Sequence, residues 1–385
     1  MRGIRVTLLV LTLVLFSWTA SARAVSINFV GAEQVVYDYG TMACFQYDQP
    51  DIPVRAFRDY LGRVQMILPG ANTRMIGPDL DHLTHDCTVV VPQLRRAAPS
   101  DFADVDWVSA IFTTDGQEVF TLLHDEYHGY EHAGYCGEPF IKCRTNAVTL
   151  ARSTNGGDLY VRPTPPTHMI AAMPYRYVPG DGRYGFFTPS NIVQKDGWYY
   201  SMVLSSVTYR AQQGGVCLMR TQNIADPKSW RAWDGTGFNV RFIDPYRESG
   251  DPLAAHVCEP VSPDELGDLN RSITYNSAIN KYIVSGTSTK WEPSLGRTVT
   301  GFYYSLSDDL IHWTESQLLI ETPRPWMCGD PESIIYPSFL DPDSTDRNFG
   351  TSNQRLYLYY TASRHQNCIN TQTLDLKRRE IEVLP

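Results

Sequence analysis

Short runs of alternating or aromatic-rich hydrophobic residues recur along the chain, and tight turns separate them. Residues 108–114 precede the turn Asp115-Gly116 and the apolar run 119–123, and residues 190–194 precede Lys195-Asp196-Gly197 and the run 198–204. An Asp-Gly pair between two such runs is a strong signal of a β-hairpin. Beyond the first 24 residues, no stretch longer than one or two turns keeps a helical period. The pattern therefore predicts an all-β chain.

This strand–turn–strand unit occurs five times, and small polar tails follow the units. The paired runs are 55–59 with 63–67, 108–114 with 119–123, 190–194 with 198–204, 272–275 with 281–285, and 334–340 with 356–360. Their spacing is close to the roughly 40–50 residues of a propeller blade. We predict a five-bladed β-propeller in a single domain, residues 25–385. A β-sandwich also has many short strands, but it gives no reason for this periodicity.

The first 24 residues have the layout of a secretory signal peptide. Arg2 and Arg5 precede an apolar stretch at 6–16, and Ala-Arg-Ala at 22–24 is a typical cleavage site. The alternative is a membrane anchor, but the apolar stretch is well short of the ~20 residues that a spanning helix needs. We therefore expect cleavage near Ala24 and a secreted or periplasmic protein.

Composition and charge fit export and make two classes of partner improbable. The chain has 385 residues, 12% of them aromatic, and a net charge of −9. An acidic surface disfavours nucleic acid and anionic membranes as partners, and we expect a monomer. Eight cysteines in an exported chain predict disulfides. Sequence alone leaves 105 connectivities, and we expect local pairs: Cys44–Cys87, Cys136–Cys143, Cys217–Cys258 and Cys328–Cys368.

Two segments resemble blade elements of the five-bladed propeller glycosidases, the arabinanase, β-xylosidase and fructosidase-like enzymes. They are Pro-Ser-Asn-Ile-Val-Gln-Lys-Asp-Gly-Trp-Tyr-Tyr at 189–200 and Tyr-Ser-Leu-Ser-Asp-Asp-Leu-Ile-His-Trp at 304–313. The resemblance extends loosely over residues 25–385 as a repeat pattern and includes no complete family motif. It implies a glycoside hydrolase with three acids in the axial funnel: a base, an Asp that tunes a pKa, and a general acid Glu.

The catalytic candidates are Asp51, Glu259 and Glu126. Asp51 precedes the first repeat where the family has its base, so we assign it as base or nucleophile. Glu259 lies in Val-Cys-Glu-Pro at 257–260, which resembles the Glu-Cys pair of sucrose- and fructan-cleaving propellers in reversed order, and we assign it as the acid. Its alternative is a strand-end charge neutralised by Arg271. The second repeat departs from the family, because Trp-Val-Ser-Ala at 107–110 stands where the tuning Asp is expected, with Asp106 just before it.

The densest ionisable cluster is His-Asp-Glu-Tyr-His at 124–128. Alternate residues of a strand share a face, so His124, Glu126 and His128 are expected to point the same way. They could line a sugar site, with Glu126 as the tuning or alternate carboxylate. A solvated polar loop is an equal alternative. The spacing does not match a zinc motif, and no metal site is expected.

The remaining candidates are predicted to bind substrate. Arg55 and Arg58 are expected on an inner strand, where they either pair with an acid or bind an anionic sugar such as a uronate. Asp59 has a turn role as its alternative. His124 and Asn191 offer hydrogen bonds to hydroxyl groups. Residues Asp330, Glu332 and Tyr336 complete the set.

The favoured function is a secreted glycoside hydrolase acting on a poly- or oligosaccharide, most simply a furanoside, through paired carboxylates. It needs no cofactor, although the channel of a propeller can hold a structural Ca²⁺ ion. A non-catalytic carbohydrate-binding propeller is the first alternative, because the second and third repeats lack the expected acids. A polysaccharide lyase acting on a uronate polymer through Tyr or His is the second.

Overall fold

The protein is built almost entirely of β-strands. The computed structural model describes residues 25–249, 253–323, 332–366 and 369–385, without the side chains of 365–372. Within these ranges the α-helices, α1 (Tyr39–Met42) and α2 (Pro263–Leu266), have four residues each. Single turns of 3-10 helix occur at Pro99–Asp101, Gly129–Glu131, Phe140–Lys142, Pro227–Ser229 and Leu253–His256. The predicted all-β class is confirmed.

The strands fall into five consecutive groups along the chain. The first group is β3 (Arg55–Arg58), β4 (Val64–Leu68), β5 (Thr73–Gly77) and β6 (Thr84–Asp86). The second is β7 (Val105–Phe112), β8 (Val119–His128), β9 (Arg144–Ser153) and β10 (Met169–Ala171). The third is β11 (Tyr184–Phe187), β12 (Val193–Lys195), β13 (Trp198–Ser205), β14 (Gly215–Thr221) and β15 (Arg231–Ala232).

The fourth and fifth groups complete the fold, and the fifth contains strands from both ends of the described chain. The fourth is β16 (Ser272–Asn276), β17 (Lys281–Glu292), β18 (Arg297–Ser307) and β19 (Gln317–Glu321), with β21 (Thr351–Ser352) pairing beside β16. The fifth is β20 (Glu332–Leu340), β22 (Arg355–Gln366) and β23 (Ile369–Leu384), joined by β1 (Ser26–Phe29) and β2 (Gln34–Tyr37). Both N-terminal strands pair antiparallel with β23, so the beginning and end of the described chain share one sheet.

Within each group the pairing is mainly antiparallel, and each predicted strand pair is present. The second and third groups merge into one nine-stranded sheet through a short parallel pairing of β9 with β11. The hairpin between β12 and β13 has Asp196 at φ 50° and Gly197 at φ 77°. Two positive φ angles are what a two-residue type I′ turn requires, which explains the Asp-Gly signal.

The core consists of separate apolar clusters between neighbouring groups. One cluster joins the first group to the second, and others join the second to the third, the third to the fourth and the fourth to the fifth. A fifth cluster, which includes Val64, Met66, Tyr359 and Leu376, joins the fifth group back to the first. The groups therefore pack in a closed cycle, and their first strands face a common centre.

Arg55 ties several of these first strands together. From β3 its Nε donates to the Ser109 carbonyl oxygen in β7 (2.7 Å), and its Nη1 donates to Ser338 Oγ in β20 (3.1 Å). Its Nη2 donates to the carbonyl oxygen of Arg271, just before β16 (2.6 Å). Burial, with a smaller effect of Arg271, lowers the pKa of Arg55 to about 9. Arg55 thus bonds to carbonyl and hydroxyl oxygens, and it forms no ion pair with a described residue.

Three of the four expected disulfides are confirmed: Cys44–Cys87, Cys136–Cys143 and Cys217–Cys258. Cys328 and Cys368 lie outside the described residues, as does the predicted signal peptide. Structural disulfides are typical of proteins that fold in an oxidising compartment. None of the helices in the described part of the chain has the length and apolarity to cross a bilayer.

Removing the Cys217–Cys258 bond should destabilise the fold more than removing Cys136–Cys143. The first bond closes a loop with a sequence separation of 41 and the second one of 7, so loop entropy gives about 4 and about 2 kcal/mol respectively. Both Cys217 and Cys258 also lie in the cluster between the second and third groups. Guanidinium unfolding of the two double Cys→Ala variants measures both losses, and equal losses would contradict this ranking.

Candidate active site

A polar pocket of about 270 Å³ lies at the centre of the cycle. Residues from all five groups, or directly before their first strands, contribute to its wall. They are Asp51, Ile52, Trp107, His124, Glu126, Arg144, Arg183, Phe187, Thr188, Leu204, Ser206, Asp268, Arg271 and Tyr336. The pocket thus combines acids, guanidinium groups and aromatic rings, which is the mixture expected of a site for a polar ligand.

Strand β8 supplies Glu126, one of the carboxyl groups that line this pocket. His124 and Glu126 both line it, and His128 Nε2 lies 2.8 Å from Glu126 Oε1, so the three share a face as the strand period predicts. Asp125 points to the opposite face, where it accepts the backbone N–H of Asp104 (2.9 Å). The solvated-loop alternative is excluded, because residues 124–128 form the buried end of β8.

Glu126 is surrounded by donors and positive charge. In the β8–β9 ladder it stands opposite Asn146, whose Nδ2 donates to Glu126 Oε2 at 3.1 Å. Arg144, two residues earlier on β9, forms an ion pair with Glu126, and Arg183 Nη2 lies 4.0 Å away. Donors and cations favour the charged form of a carboxyl group. Glu126 is therefore suited to act as a carboxylate.

Asp51 lies in a different environment on the same pocket. It precedes β3, and its carboxyl group makes no hydrogen bond or ion pair with any residue in the described ranges. Burial raises the pKa of Asp51 to about 7, against a smaller lowering by Arg144. A carboxyl group in this state is partly protonated at neutral pH, so Asp51 can donate a proton.

His124 is a neutral, incompletely bonded group beside Glu126. Burial lowers its pKa well below the ordinary value, and the nearby guanidiniums of Arg183, Arg271 and Arg144 act in the same direction. Its Nε2 contacts Asn146 Nδ2, whereas Nδ1 is buried and has no hydrogen-bond partner in the part of the chain that the structure describes. Buried polar atoms are seldom left unpaired, so this nitrogen is available to a ligand.

The sequence interpretation did not assign three guanidinium groups to the pocket: Arg144, Arg183 and Arg271. Arg271 was considered only as a partner of Glu259. Arg183 comes directly before β11 and Arg271 directly before β16, as Asp51 comes shortly before β3. A charged residue just ahead of a predicted inner strand was the signal that could have found them.

Glu259 is not brought to this pocket. Its side chain is exposed and lines a separate depression with Asp234 and Asn239, while its backbone N–H donates to the Trp233 carbonyl oxygen at 2.9 Å. The expected disulfide does hold the adjacent Cys258. However, that bond lies in the cluster between two strand groups and fixes Glu259 at the periphery.

Three other predicted binding residues have structural contacts instead. Asp59 accepts N–H groups of its own turn and pairs with Arg63 (2.8 Å), which is the alternative stated for it. Arg58 donates to the Asp346 carbonyl oxygen and covers the ring of Phe349. Asn191 joins the third group to the fourth through both backbone groups of Ile273 (2.7 and 2.8 Å).

Of the remaining residues that the sequence predicted for the site, some line the pocket and others lie outside it. Tyr336 lines the pocket, and burial and Asp51 raise its pKa above the ordinary value. Glu332 pairs with Lys377 Nζ at 2.8 Å, and Asp106 pairs with Arg162 at 2.5 Å. Asp330 lies outside the described residues.

Metal binding has little support in the described part of the chain. There, one group of three side chains could hold an ion, Cys44, His85 and Cys87. Its two cysteines are joined in a disulfide, so they offer no thiolates. The Ca²⁺ ion allowed for the channel stays a prediction.

Comparisons with known proteins give matches in structure only. No family model matches the sequence, and no curated protein matches it. An exo-β-1,3-galactanase from Phanerochaete chrysosporium is similar with a TM-score of 0.48 and 11% identity, over 92% of this chain and 64% of the galactanase. This chain therefore spans less than two thirds of that enzyme's length.

Two shorter enzymes are covered more fully. An α-L-arabinanase from Cellvibrio cellulosa is similar with a TM-score of 0.46 and 12% identity, over 85% of this chain and 91% of the other. The catalytic domain of an α-L-arabinofuranosidase from Coprinopsis cinerea gives 0.45 and 8%, over 92% and 97%. All three are glycosidases, the enzyme class that the segments at 189–200 and 304–313 resemble.

Proposed function

We propose that this protein is a secreted glycoside hydrolase whose reaction centre is the central pocket. We also propose that residues 25–385 form one five-bladed β-propeller, with each strand group as a blade. The five apolar clusters that close the cycle support the blade count. The three disulfides support folding in an oxidising compartment.

One observation carries the hydrolase proposal: two carboxyl groups share one pocket in opposite electrostatic environments. Asp51 makes no side-chain hydrogen bond or ion pair within the described residues, and burial raises its pKa to about 7. Glu126 pairs with Arg144, accepts from Asn146 and lies 2.8 Å from His128 Nε2. Two carboxyl groups whose environments favour different protonation states are the acid and base of glycoside hydrolysis.

The roles follow from these environments. Asp51 donates its proton to the glycosidic oxygen as the C–O bond breaks, which lets the leaving sugar depart as an alcohol. Glu126 acts on the anomeric carbon side, either by accepting a proton from the attacking water or by attacking the carbon itself. The assignment moves Asp51 from base to acid and leaves Glu259 without a catalytic role. Arg144 influences both groups, since it pairs with Glu126 and lowers the pKa of Asp51.

A lyase is the second candidate, and His124 is the observation that favours it. A neutral imidazole with an unpartnered Nδ1 inside the pocket could remove a proton next to a sugar carboxylate. Tyr336 is less suited to this role, because its raised pKa opposes loss of the hydroxyl proton. Unsaturated products that absorb ultraviolet light distinguish this reaction from hydrolysis.

Reducing-sugar release from arabinan, fructan, galactan, xylan and uronate polymers tests the proposal. The wild-type protein should release sugar from at least one polymer, and the double variant Asp51→Asn/Glu126→Gln should release none. The matched control is Glu259→Gln, an exposed carboxylate in another depression, which should retain wild-type activity. Polymer binding without release would favour the carbohydrate-binding alternative, and loss of activity in Glu259→Gln would return the acid role to that residue.

A further inference from the structure

The central pocket is lined by three guanidinium groups, and those of the described residues that pair with a carboxylate, Arg144 and Arg183, share Glu126. Arg144 is paired with Glu126, and Arg183 Nη2 is at the 4.0 Å limit of an ion pair with the same carboxylate. Arg271 forms no ion pair with any residue of the described ranges. Its Nη1 is buried and has no hydrogen-bond partner among those same residues.

A buried guanidinium group without a partner is energetically unfavourable unless a ligand binds it. Buried N–H groups are nearly always bonded, and buried charges are nearly always paired. Burial lowers the pKa of Arg271, and the positive charge of Arg183 lowers it further, whereas Tyr336 and Asp268 act in the opposite direction. Asp268 is exposed at the rim and does not hydrogen-bond Arg271. A negatively charged ligand group between Arg183 and Arg271 would stabilise the charged form of both guanidinium groups.

The rest of the pocket indicates that this charge belongs to a sugar. The aromatic side chain of Trp107 gives the wall an apolar part, and the ring of Phe187 supports the guanidinium of Arg183 at 4.4 Å. The volume of about 270 Å³ suits one small ligand unit better than a polymer segment. Planar guanidinium groups match a carboxylate through two parallel hydrogen bonds.

Building on the proposed hydrolase, we infer that its substrate carries an oxyanion, with a uronate carboxylate held by Arg183 and Arg271. A sulfate ester offers the same charge and the same acceptor geometry. Binding of an anionic sugar was one of two roles predicted for Arg55 and Arg58, but their guanidinium groups are engaged by oxygen atoms or an aromatic ring away from the pocket.

Calorimetric titration of the wild-type protein with matched monosaccharides tests this inference without requiring turnover. The probes are D-glucuronate and D-galacturonate, their neutral counterparts D-glucose and D-galactose, D-galactose 6-sulfate, and free inorganic sulfate. We expect at least one charged sugar to bind about tenfold or more tightly than its neutral counterpart, since charge-assisted hydrogen bonds are the strong ones. Tighter binding of the 6-sulfate than of both uronates would identify the oxyanion as a sulfate ester.

Variants decide whether the preference comes from the two arginines. Arg271→Gln should bring the charged and neutral sugars within about twofold of each other, and Arg183→Gln, at a more exposed position, should reduce the preference without affecting folding. Arg247→Gln is the control, because Arg247 is exposed and lines a different depression near Asp244. Equal affinity for charged and neutral sugars, free sulfate binding as tightly as the sugars, or an unchanged preference in Arg271→Gln would overturn the inference. Sugar release from a neutral polymer in the reducing-sugar assay would still support the proposed hydrolase.

Discussion

Replacing Glu126 by glutamine is expected to lower kcat by about 10²–10⁴-fold with little change in KM, because a group that acts as base or nucleophile contributes mainly in the transition state. The amide keeps the shape of the side chain but removes the negative charge that pairs with Arg144. Initial rates on the polymer identified by the reducing-sugar assay measure both constants. Thermal unfolding, run in parallel, separates loss of chemistry from loss of fold.

Glu118→Gln is a matched control for this variant. Glu118 directly precedes β8, and it pairs with Arg152 on β9 as Glu126 pairs with Arg144. The control therefore removes a cross-strand ion pair at the other end of the same two strands, at a more exposed position. Wild-type kcat in Glu118→Gln is expected, and a kcat for Glu126→Gln within threefold of wild type would exclude Glu126 from catalysis.

Replacing Asp51 by asparagine should abolish turnover and at the same time stabilise the protein at alkaline pH. The pKa of Asp51 is raised from its ordinary value to about 7 by burial, so the folded state binds the proton more tightly than the unfolded chain. Stability therefore falls as pH rises through the interval from about 4 to about 7. A shift of about three units corresponds to at most about 4 kcal/mol.

The neutral asparagine removes this penalty. The free energy of unfolding of Asp51→Asn should match that of the wild type near pH 4 and exceed it by up to about 4 kcal/mol at pH 8. In the wild type, kcat/KM should decline above about pH 7 as the acid loses its proton. Denaturant titrations at both pH values and a pH–rate profile measure these effects.

Asp234→Asn is a control for which the change in stability should have the opposite sign. Asp234 is exposed, and hydrogen bonds from Asn239, Thr236 and Gly237 hold its pKa below the ordinary value, so its replacement should lower stability at neutral pH and leave turnover unchanged. If Asp51→Asn were less stable than the wild type at pH 8, Asp51 would be ionised and bonded in the folded state, and its assignment as acid would be lost.

Local sequence patterns determined the secondary-structure elements of this protein. Asp196-Gly197 gave the β12–β13 hairpin because its two positive φ angles suit those residue types, and the alternation in β8 placed His124, Glu126 and His128 on one face. Close spacing along the chain also paired Cys136 with Cys143 correctly. Such features depend on neighbouring residues and are therefore readable in sequence.

Tertiary structure decided which charges meet. Asp51, Arg183 and Arg271 are far apart in sequence and each precedes a different inner strand, so only the closed packing of the strand groups brings them to one pocket. The same packing directs Arg55 to backbone carbonyl oxygens and leaves Glu259 at the periphery. A residue type specifies what a side chain can bind. Its role depends on burial and on partners that distant segments supply, and these arise only when the chain has folded.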